Sequence, residues 1–235
     1  MTYGDALPIA KSFIFAAMQT RADSLRNKFD SIIFDLDGTL WDSTGNVALA
    51  WEKARLQVGY EEVDSITRER VRSITGMAYD VIFEVLLPDM EVERRNYFKS
   101  VCAQSEIDTL EEIGGDLYPG LDETIKYLAG KYKLYIVSNC QSGYIETFLD
   151  HCPVADHFLA HQCYGTKGQP KAENIRDIVN DHNLQAPVYI GDTNGDRDSA
   201  AKAGVPFIFA SYGFGKVGEG MVATIDSFEE LKELL

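Results

Sequence analysis

The chain has 235 residues, of which 45% are hydrophobic and 25% are charged, and this composition excludes wholesale disorder. Its length suits one large domain, or a core domain that carries a smaller insert. The 22 basic and 37 acidic residues leave a net charge of −15, which disfavours binding to nucleic acid or to an anionic membrane surface, and no apolar run reaches the length of a membrane span.

The first feature along the chain is an N-terminal extension, predicted to cover residues 1–28. Its apolar stretch at 9–18 is short, is interrupted by Lys11 and follows Asp5 rather than a basic start. Because a secretory signal peptide begins with basic residues, we expect a leader helix that lies against the core instead. The acidic composition and the four cysteines, none of them in a Cys-x-x-Cys pair, predict a cytoplasmic protein with reduced thiols.

Four short apolar runs follow the extension, and they are rich in β-branched and aromatic residues. Runs that are apolar on both faces are typical of strands buried in a parallel sheet. Helical stretches lie between them, and this alternation predicts an α/β fold with a doubly wound, Rossmann-like parallel sheet. The predicted strands are 31–34, 133–137, 188–190 and 206–210, and the predicted core helices are 121–129, 143–149, 172–182 and 198–203.

One interval breaks the alternation of strands and helices. The strand signal is weak between the first two apolar runs, and Gly59, Gly76 and Pro88 separate several helical stretches there. This pattern predicts an α-helical cap domain, residues 43–115, inserted into an α/β core formed by residues 29–42 and 116–235. The predicted helices of the cap are 44–58, 67–74, 79–87 and 92–112.

The first predicted strand ends in two carboxylates two residues apart, Asp35 and Asp37. Residues at this spacing in an extended segment point the same way, and open α/β sheets bind ligands beyond the carboxyl ends of their strands. Two anions so close together repel each other, and a divalent cation is the simplest way to offset their charge. Gly38 and Thr39 allow a sharp turn here. A strand-capping turn explains Asp37 and Gly38 but not the second acid.

The third predicted strand also ends among acids, Asp192 and Asp196. Four residues apart, they are placed to face one cation from opposite sides of a tight loop, and Mg²⁺ prefers carboxylate oxygens. The alternative is an acidic turn that caps the following helix, which is a weaker explanation for Asp192 and nearly as good for Asp196. Asp198 is predicted to be an acid at the start of that helix, without a chemical role.

A hydroxyl and an amide, Ser138 and Asn139, end the second predicted strand and suit a phosphate oxygen, although Ser138 also fits a helix N-cap. Lys171 begins a predicted helix, where a cation opposes the helix dipole. An anionic site nearby would offset that cost. An ordinary solvated lysine is the alternative, and Lys167 is the rival for the role.

Together these segments resemble the four motifs of the haloacid dehalogenase-like hydrolases, in the same order along the chain. They are Asp-x-Asp-Gly-Thr at 35–39, Ser-Asn at 138–139, Lys171 and Gly-Asp-x-x-x-Asp at 191–196. The resemblance extends from about Phe29 to the C-terminus, and the helical insert resembles the cap of the phosphoglycolate phosphatase-like branch. Trp41 and Cys140 depart from the residues common in the family.

This resemblance implies a magnesium-dependent phosphatase that acts on a small phosphorylated metabolite, with phosphoglycolate as a candidate. It implies that Asp35 is the nucleophile, which forms an aspartyl-phosphate, and that Asp37 is the general acid and base. The implied ligands of Mg²⁺ are Asp35, the backbone carbonyl of Asp37, Asp192 and, directly or through another ligand, Asp196. The implied phosphate-binding residues are Thr39, Ser138, Asn139 and Lys171.

The acid at position 37 favours phosphate chemistry, because the dehalogenases of this superfamily lack it. Two alternatives stay open: a phosphomutase of the β-phosphoglucomutase type, and a catalytically silent binding protein on the same fold. The cap is expected to select the substrate. Its candidate residues are Trp41, Thr75, Gly76 and Met77, although packing is the better interpretation of Trp41 and Met77. No partner protein is implied, and we expect a monomer or a homodimer.

Overall fold

Parallel strands dominate the computed structural model, which describes residues 25–60 and 62–235. The strands of this part of the chain are β1 (Ser31–Phe34), β2 (Trp41–Asp42), β3 (Asp116–Leu117), β4 (Lys133–Ser138), β5 (Phe158–Cys163), β6 (Pro187–Gly191), β7 (Phe207–Ala210) and β8 (Ala223–Ile225). Six of them form one sheet in the order β5-β4-β1-β6-β7-β8, and every neighbouring pair is parallel. The short strands β2 and β3 pair antiparallel in a separate ribbon.

Helices cover both faces of the large sheet. In chain order they are α1 (Thr44–Val58), α2 (Arg68–Ile74), α3 (Tyr79–Leu86), α4 (Val92–Ile113), α5 (Leu121–Ala129), α6 (Tyr144–His151), α7 (Tyr164–Lys167), α8 (Lys171–Asp181), α9 (Asn194–Ala203) and α10 (Leu231–Leu234). Ile32 and Phe34 pack in one apolar cluster with α5 and α6, and Ile33 packs in a second with α8 and α9. Burying each such side chain contributes about 1.5–3 kcal/mol. The predicted fold class is confirmed.

The order of the strands creates a crevice at one edge of the sheet. From the central strand β1 the chain continues to β4 and β5 on one side, and it then returns to β6, β7 and β8 on the other side. The carboxyl ends of β4, β1 and β6 therefore lie next to one another at a topological switch point, which is where ligands bind in sheets of this type.

Four helices, α1 to α4, occupy the interval between β2 and β3 where the sequence predicts a cap. Their observed ends agree with the predicted ones to within one residue. Rings from three of them make the local core: Trp51 lies 5.1 Å from Phe83, which lies 6.1 Å from Phe98. Gly59 ends α1 in a left-handed conformation, with φ of 65°, that few other residues adopt readily. We retain the division into a core and a cap as a proposal.

Two strands of the sheet, β5 and β8, have no counterpart in the sequence prediction. They form its two edges. Strand β5 reads Phe-Leu-Ala-His-Gln-Cys and is only partly buried, and β8 has three residues. Both strands were missed because the prediction rests on short runs that are apolar on both faces, and this pattern is typical of the central strands of a sheet.

Helix α9 begins at Asn194 rather than at Asp198. Thr193 is the N-cap: its hydroxyl accepts a hydrogen bond from the backbone N–H of Asp196, whose carboxylate accepts one in return from the backbone N–H of Thr193. This capping box fixes the start of the helix. The prediction that Asp198 is the acid at the helix start is therefore wrong, and Asp196 has that position.

The predicted leader helix at 9–18 lies outside the described residues, as does most of the predicted extension 1–28. None of the helices in the described part of the chain combines the length and the apolarity that crossing a membrane needs.

Candidate active site

The edge formed by β4, β1 and β6 brings most of the predicted site residues together. Asp35 follows β1 directly, and its backbone N–H donates to the carbonyl of Ile190 in β6 at 2.8 Å. Ser138 ends β4, and Asp192 follows β6. The charged and polar side chains gathered here are almost completely buried: Asp35, Thr39, Ser138, Lys171, Asp192 and Asp196.

Lys171 lies between two carboxylates at the first turn of α8. Its Nζ is 2.8 Å from Oδ1 of Asp35 and 2.6 Å from Oδ1 of Asp196, and the residue is 3% exposed. Burial alone would lower the pKa of the lysine, but the two carboxylates raise it above its usual value, so the side chain is a cation. Lys167, the rival, forms an ion pair with Asp177 near the surface.

Three carboxylates have oxygens within 4.8 Å of one another: Asp35, Asp192 and Asp196. Burial raises the pKa of Asp35 to about 7 and that of Asp192 well above its usual value, with the neighbouring acids adding to both shifts. Lys171 offsets part of this negative charge. Crowding of buried acids in this way calls for further positive charge.

An oxygen of Asp192 tests whether a metal ion fits this site. Its Oδ2 accepts a hydrogen bond from the backbone N–H of Phe214 at 2.6 Å, but its buried Oδ1 has no hydrogen-bond partner among the described residues. A buried carboxylate oxygen without a partner is costly. A hard cation such as Mg²⁺, which prefers carboxylate oxygens, would satisfy it. The residues present therefore fit the predicted metal.

Gly38 makes room for this arrangement. A Cβ at this position would lie 2.3 Å from Oδ2 of Asp192, and the glycine has a φ of 81°. Any side chain would displace the carboxylate, so the turn after Asp37 requires glycine.

Both oxygens of Asp196 have hydrogen-bond partners. Oδ1 accepts from Lys171, and Oδ2 accepts from the backbone N–H groups of Asp192 and Thr193 and from the Thr193 hydroxyl. The carboxylate thus holds the loop that carries Asp192 and orients Lys171. Asp196 therefore takes part in the cap of helix α9 and also belongs to the cluster of three carboxylates.

Asp37 has a different environment from the other acids. Its Oδ1 accepts three hydrogen bonds, from Trp41 Nε1 at 3.0 Å, from Ser43 Oγ at 2.8 Å and from the Tyr144 hydroxyl at 2.8 Å. Burial raises the pKa of Asp37 to about 6, although these donors oppose the shift. The side chain is not one of the three clustered carboxylates.

Sequence reasoning missed two of the residues that hold Asp37, namely Ser43 and Tyr144. Tyr144 lies 107 positions along the chain, and no local pattern connects the two residues. Trp41 was a candidate for substrate selection, with packing as the better interpretation. The structure buries it completely, with its ring 5.7 Å from Tyr144 and 5.2 Å from Phe148.

The predicted phosphate-binding side chains fall into two groups. Thr39 has a buried hydroxyl without a hydrogen-bond partner in the described residues, and Ser138 lines the cavity in front of Asp35. Asn139 lines the same cavity, but its amide donates to the carbonyl of Gly76 in the cap at 2.9 Å. Its side chain therefore joins core and cap in this structure.

The cavity beside Asp35 and Asp37 contains about 480 Å³ of space, part of which is open to solvent. The core contributes its inner wall, and the cap contributes its outer wall, including the predicted candidates Thr75, Gly76 and Met77.

A family model described as haloacid dehalogenase-like hydrolase matches residues 32–210. The chain belongs to this family. It is 28% identical over 224 residues to a phosphoglycolate phosphatase of Vibrio parahaemolyticus, covering 87% of this chain and 93% of that protein. Its identity to a phosphoglycolate phosphatase of Aquifex aeolicus is 25% over 194 residues, covering 79% and 86%. The predicted family and its phosphoglycolate phosphatase-like branch are confirmed.

Solved structures share the fold of this haloacid dehalogenase-like chain. A protein described as a predicted phosphoglycolate phosphatase of Haemophilus somnus superimposes with a TM-score of 0.75 at 22% identity, covering 88% of this chain and 97% of that one. A haloacid dehalogenase-like hydrolase of Streptococcus pneumoniae gives a TM-score of 0.75 at 19% identity, covering 87% and 97%. The similarity extends over the cap as well as the sheet.

Proposed function

We propose that this chain is a magnesium-dependent phosphatase that hydrolyses a small phosphorylated metabolite through an aspartyl-phosphate on Asp35. One observation carries the proposal: Asp35 is buried between Lys171 and the partly unpaired carboxylate of Asp192, and Asp37 lines the same cavity. The names of the curated relatives agree with a phosphoric monoester hydrolase, and they make phosphoglycolate the reference substrate for an assay.

The residues that would hold Mg²⁺ are Asp35, Asp192 and the backbone carbonyl of Asp37, with Asp196 supporting them through its hydrogen bonds. When bound, the ion would offset the charge of the acids and polarise a phosphoryl oxygen. Lys171 provides positive charge at Asp35, and Ser138 provides a hydroxyl in the same cavity, where the phosphoryl oxygens would lie. The buried, unpaired hydroxyl of Thr39 would be a further donor.

Two steps account for hydrolysis with these side chains. A carboxylate oxygen of Asp35 attacks phosphorus, and the bond from phosphorus to the leaving alcohol breaks as Asp37 donates its proton to that oxygen. Water then attacks the phosphorus of the aspartyl-phosphate, Asp37 takes a proton from the water, and Asp35 and inorganic phosphate are released. The raised pKa of Asp37, about 6, suits a group that must give and take a proton near neutral pH.

The three hydrogen bonds to Asp37 support its assignment as the proton-transfer group. They hold one carboxyl oxygen against Trp41, Ser43 and Tyr144, and the residue lines the cavity that would receive the leaving group. A silent binding protein has no need to keep a buried acid with a raised pKa in this position.

The test measures inorganic phosphate released from p-nitrophenyl phosphate by the purified full chain, with Mg²⁺ or with EDTA. We expect activity only with Mg²⁺, and we expect Asp35→Asn to abolish it while the circular dichroism spectrum is unchanged. Asp198→Asn, a change at an acid outside the cavity, is the matched control. Near-normal turnover by Asp35→Asn would exclude the proposed nucleophile. A sugar phosphate tests the phosphomutase in parallel, because transfer of its phosphate to a second hydroxyl of the sugar without release of inorganic phosphate would favour that alternative. The cytoplasmic location and the oligomeric state stay predictions.

A further inference from the structure

The outer half of the cavity is built by the cap and faces the catalytic acids. Helix α1 contributes Val47 and Trp51, helix α3 contributes Tyr79 and Ile82, and helix α4 contributes Glu106. In the proposed reaction Asp37 protonates the leaving oxygen, so the rest of the leaving group lies against this wall. Its chemistry should therefore match the chemistry of the leaving group.

The wall carries no positive charge. Among the described residues that line the cavity there is no lysine or arginine, and the charged types are Asp35, Asp37 and Glu106. Two arginines of the cap, Arg68 and Arg72, pair with Asp42 instead. A leaving group with a carboxylate would meet acids here and no cation, which is unfavourable in a desolvated site.

Glu106 is the unusual member of this wall, because it lies within a helix yet is only 3% exposed. Its carboxyl accepts hydrogen bonds from Trp51 Nε1 and, at 3.1 Å, from Gln141 Nε2. Burial raises the pKa of Glu106 to about 8, so most of the carboxyl is neutral at pH 7. A neutral carboxyl group can both donate a hydrogen bond and accept one.

Tyr79 adds an unused polar group to the same wall. Its hydroxyl is buried and has no hydrogen-bond partner among the described residues, and the whole side chain is 8% exposed. Buried hydroxyl groups in folded proteins are nearly always paired. Val47, Trp51 and Ile82 line the same cavity, and their carbon surfaces suit C–H groups of a ligand.

We propose that Tyr79 and Glu106 bind a hydroxyl group of an uncharged leaving group, so that the substrate class is the phosphomonoester of a neutral polyol rather than of a hydroxy acid. This inference rests on the proposed phosphatase function. It makes Tyr79 and Glu106 specificity-determining residues that act on the leaving group from the cap side of the cavity.

The test uses two matched pairs of substrates in which a hydroxymethyl group replaces a carboxylate. They are 2-hydroxyethyl phosphate with phosphoglycolate, and glycerol 3-phosphate with 3-phosphoglycerate. We expect kcat/KM to be about tenfold or more higher for the neutral member of each pair, because a carboxylate finds no cation in the wall. The comparison uses the unaltered chain with Mg²⁺, so it does not depend on the folding of a variant.

Tyr79→Phe then tests the assigned residue, and it removes an unpaired hydroxyl while keeping the ring. We expect it to lower kcat/KM for the neutral substrates more than for their carboxylate partners, so that the ratio within each pair falls by about threefold or more. Glu106→Gln should also lower the ratio of kcat/KM within each pair, because an amide cannot ionise and can donate a hydrogen bond to a carboxylate. Tyr97→Phe and Glu112→Gln, at exposed positions of α4, are the matched controls and should leave the ratios unchanged.

The outcomes separate this inference from the function on which it rests. If phosphoglycolate is hydrolysed as well as 2-hydroxyethyl phosphate or better, the inference about the substrate class is overturned. Mg²⁺-dependent hydrolysis of p-nitrophenyl phosphate would still support the proposal that the chain is a phosphatase. Ratios that Tyr79→Phe and Glu106→Gln leave unchanged would overturn the assignment of these residues. A chain that hydrolyses no phosphomonoester, p-nitrophenyl phosphate included, would overturn both.

Discussion

The core and the cap face each other across one cavity, and they are built in different ways. On the core side, Asp35, Lys171 and Asp196 form a continuous network of charged hydrogen bonds where β1 ends and helices α8 and α9 begin. On the cap side, the wall is mostly apolar, with the unpaired hydroxyl of Tyr79 and the carboxyl of Glu106, which accepts from Trp51 and Gln141. The comparison teaches that changes in the core should affect every substrate, whereas changes in the cap should affect the choice among substrates.

The largest effect is expected for Lys171→Met, because it leaves Asp35 and Asp196 buried without their cation. We expect turnover of every phosphomonoester to fall by about 10³-fold, since the lysine would no longer offset phosphoryl charge. Without Mg²⁺ the free energy of unfolding should fall by about 3–5 kcal/mol. Phosphate release and urea unfolding measure the two effects.

Lys167→Met is the control, because Lys167 pairs with Asp177 near the surface and lies outside the cavity. Such a pair contributes at most about 1 kcal/mol. Equal losses of activity in the two variants would contradict the view that Lys171 is the cation of the site.

Asp37→Asn should come next, with the fold intact and activity reduced by about 10²–10³-fold for an alkyl phosphate. The loss should be smaller for p-nitrophenyl phosphate, because its leaving oxygen hardly needs a proton. Steady-state rates with both substrates measure the difference, and Asp226→Asn, outside the cavity, is the control. Equal losses on both substrates would assign Asp37 a structural role instead of proton transfer.

The sequence allowed the core side of this comparison to be predicted better than the cap side. Asp35, Asp37 and Asp192 follow short buried strands directly, so local sequence and the geometry of a parallel sheet are enough to bring them together. The helices of the cap were predicted equally well from the sequence, because glycine and proline mark their ends. The sequence did not indicate which residues of those helices line the cavity.

Glu106 and Tyr144 illustrate what local sequence does not contain. Glu106 lies in a helix rich in charged residues, where a glutamate is usually solvated, and only packing against Trp51 and Gln141 makes it buried. Tyr144 reaches Asp37 across 107 positions of sequence. Both depend on tertiary contacts, and the edge strand β5 was missed because partial exposure weakens its apolar pattern.

A stability measurement can examine the cap side without any substrate. Burial raises the pKa of Glu106 from 4.5 in the unfolded chain to about 8 in the folded one, with the nearby Asp37 adding to the shift. Between these values the folded protein binds a proton that the unfolded chain has lost, so this residue makes stability fall as pH rises from about 4.5 to about 8. Over this pH range Glu106 lowers the free energy of unfolding by at most about 4–5 kcal/mol.

Glu106→Gln should remove this dependence, because glutamine does not titrate. We expect the variant to be more stable than the unaltered chain at pH 8 and to differ less from it at pH 5, as measured by urea unfolding at each pH. Other titratable groups that interact with this carboxyl are those of Asp37, Tyr79, Tyr144 and Cys102. Glu112→Gln is the control. Parallel stability profiles of the unaltered chain and Glu106→Gln would show that Glu106 is ionised in the folded state.

The smallest effect is expected within the core, at the hydrogen bond from Tyr144 to Asp37 beside the cavity. Tyr144→Phe removes one of three donors that favour the carboxylate form, so the pKa of Asp37 should rise further above its present value of about 6. Because the protonated form starts the reaction, the pH at which kcat/KM begins to fall should move upward. The rate itself should drop by about tenfold or less as Asp37 loses orientation. Tyr127→Phe, on the outer surface of α5, is the control. A lower rate with an unmoved pH profile would mean that Tyr144 contributes packing alone, and Trp41 and Ser43 would then be sufficient to set the proton affinity of Asp37.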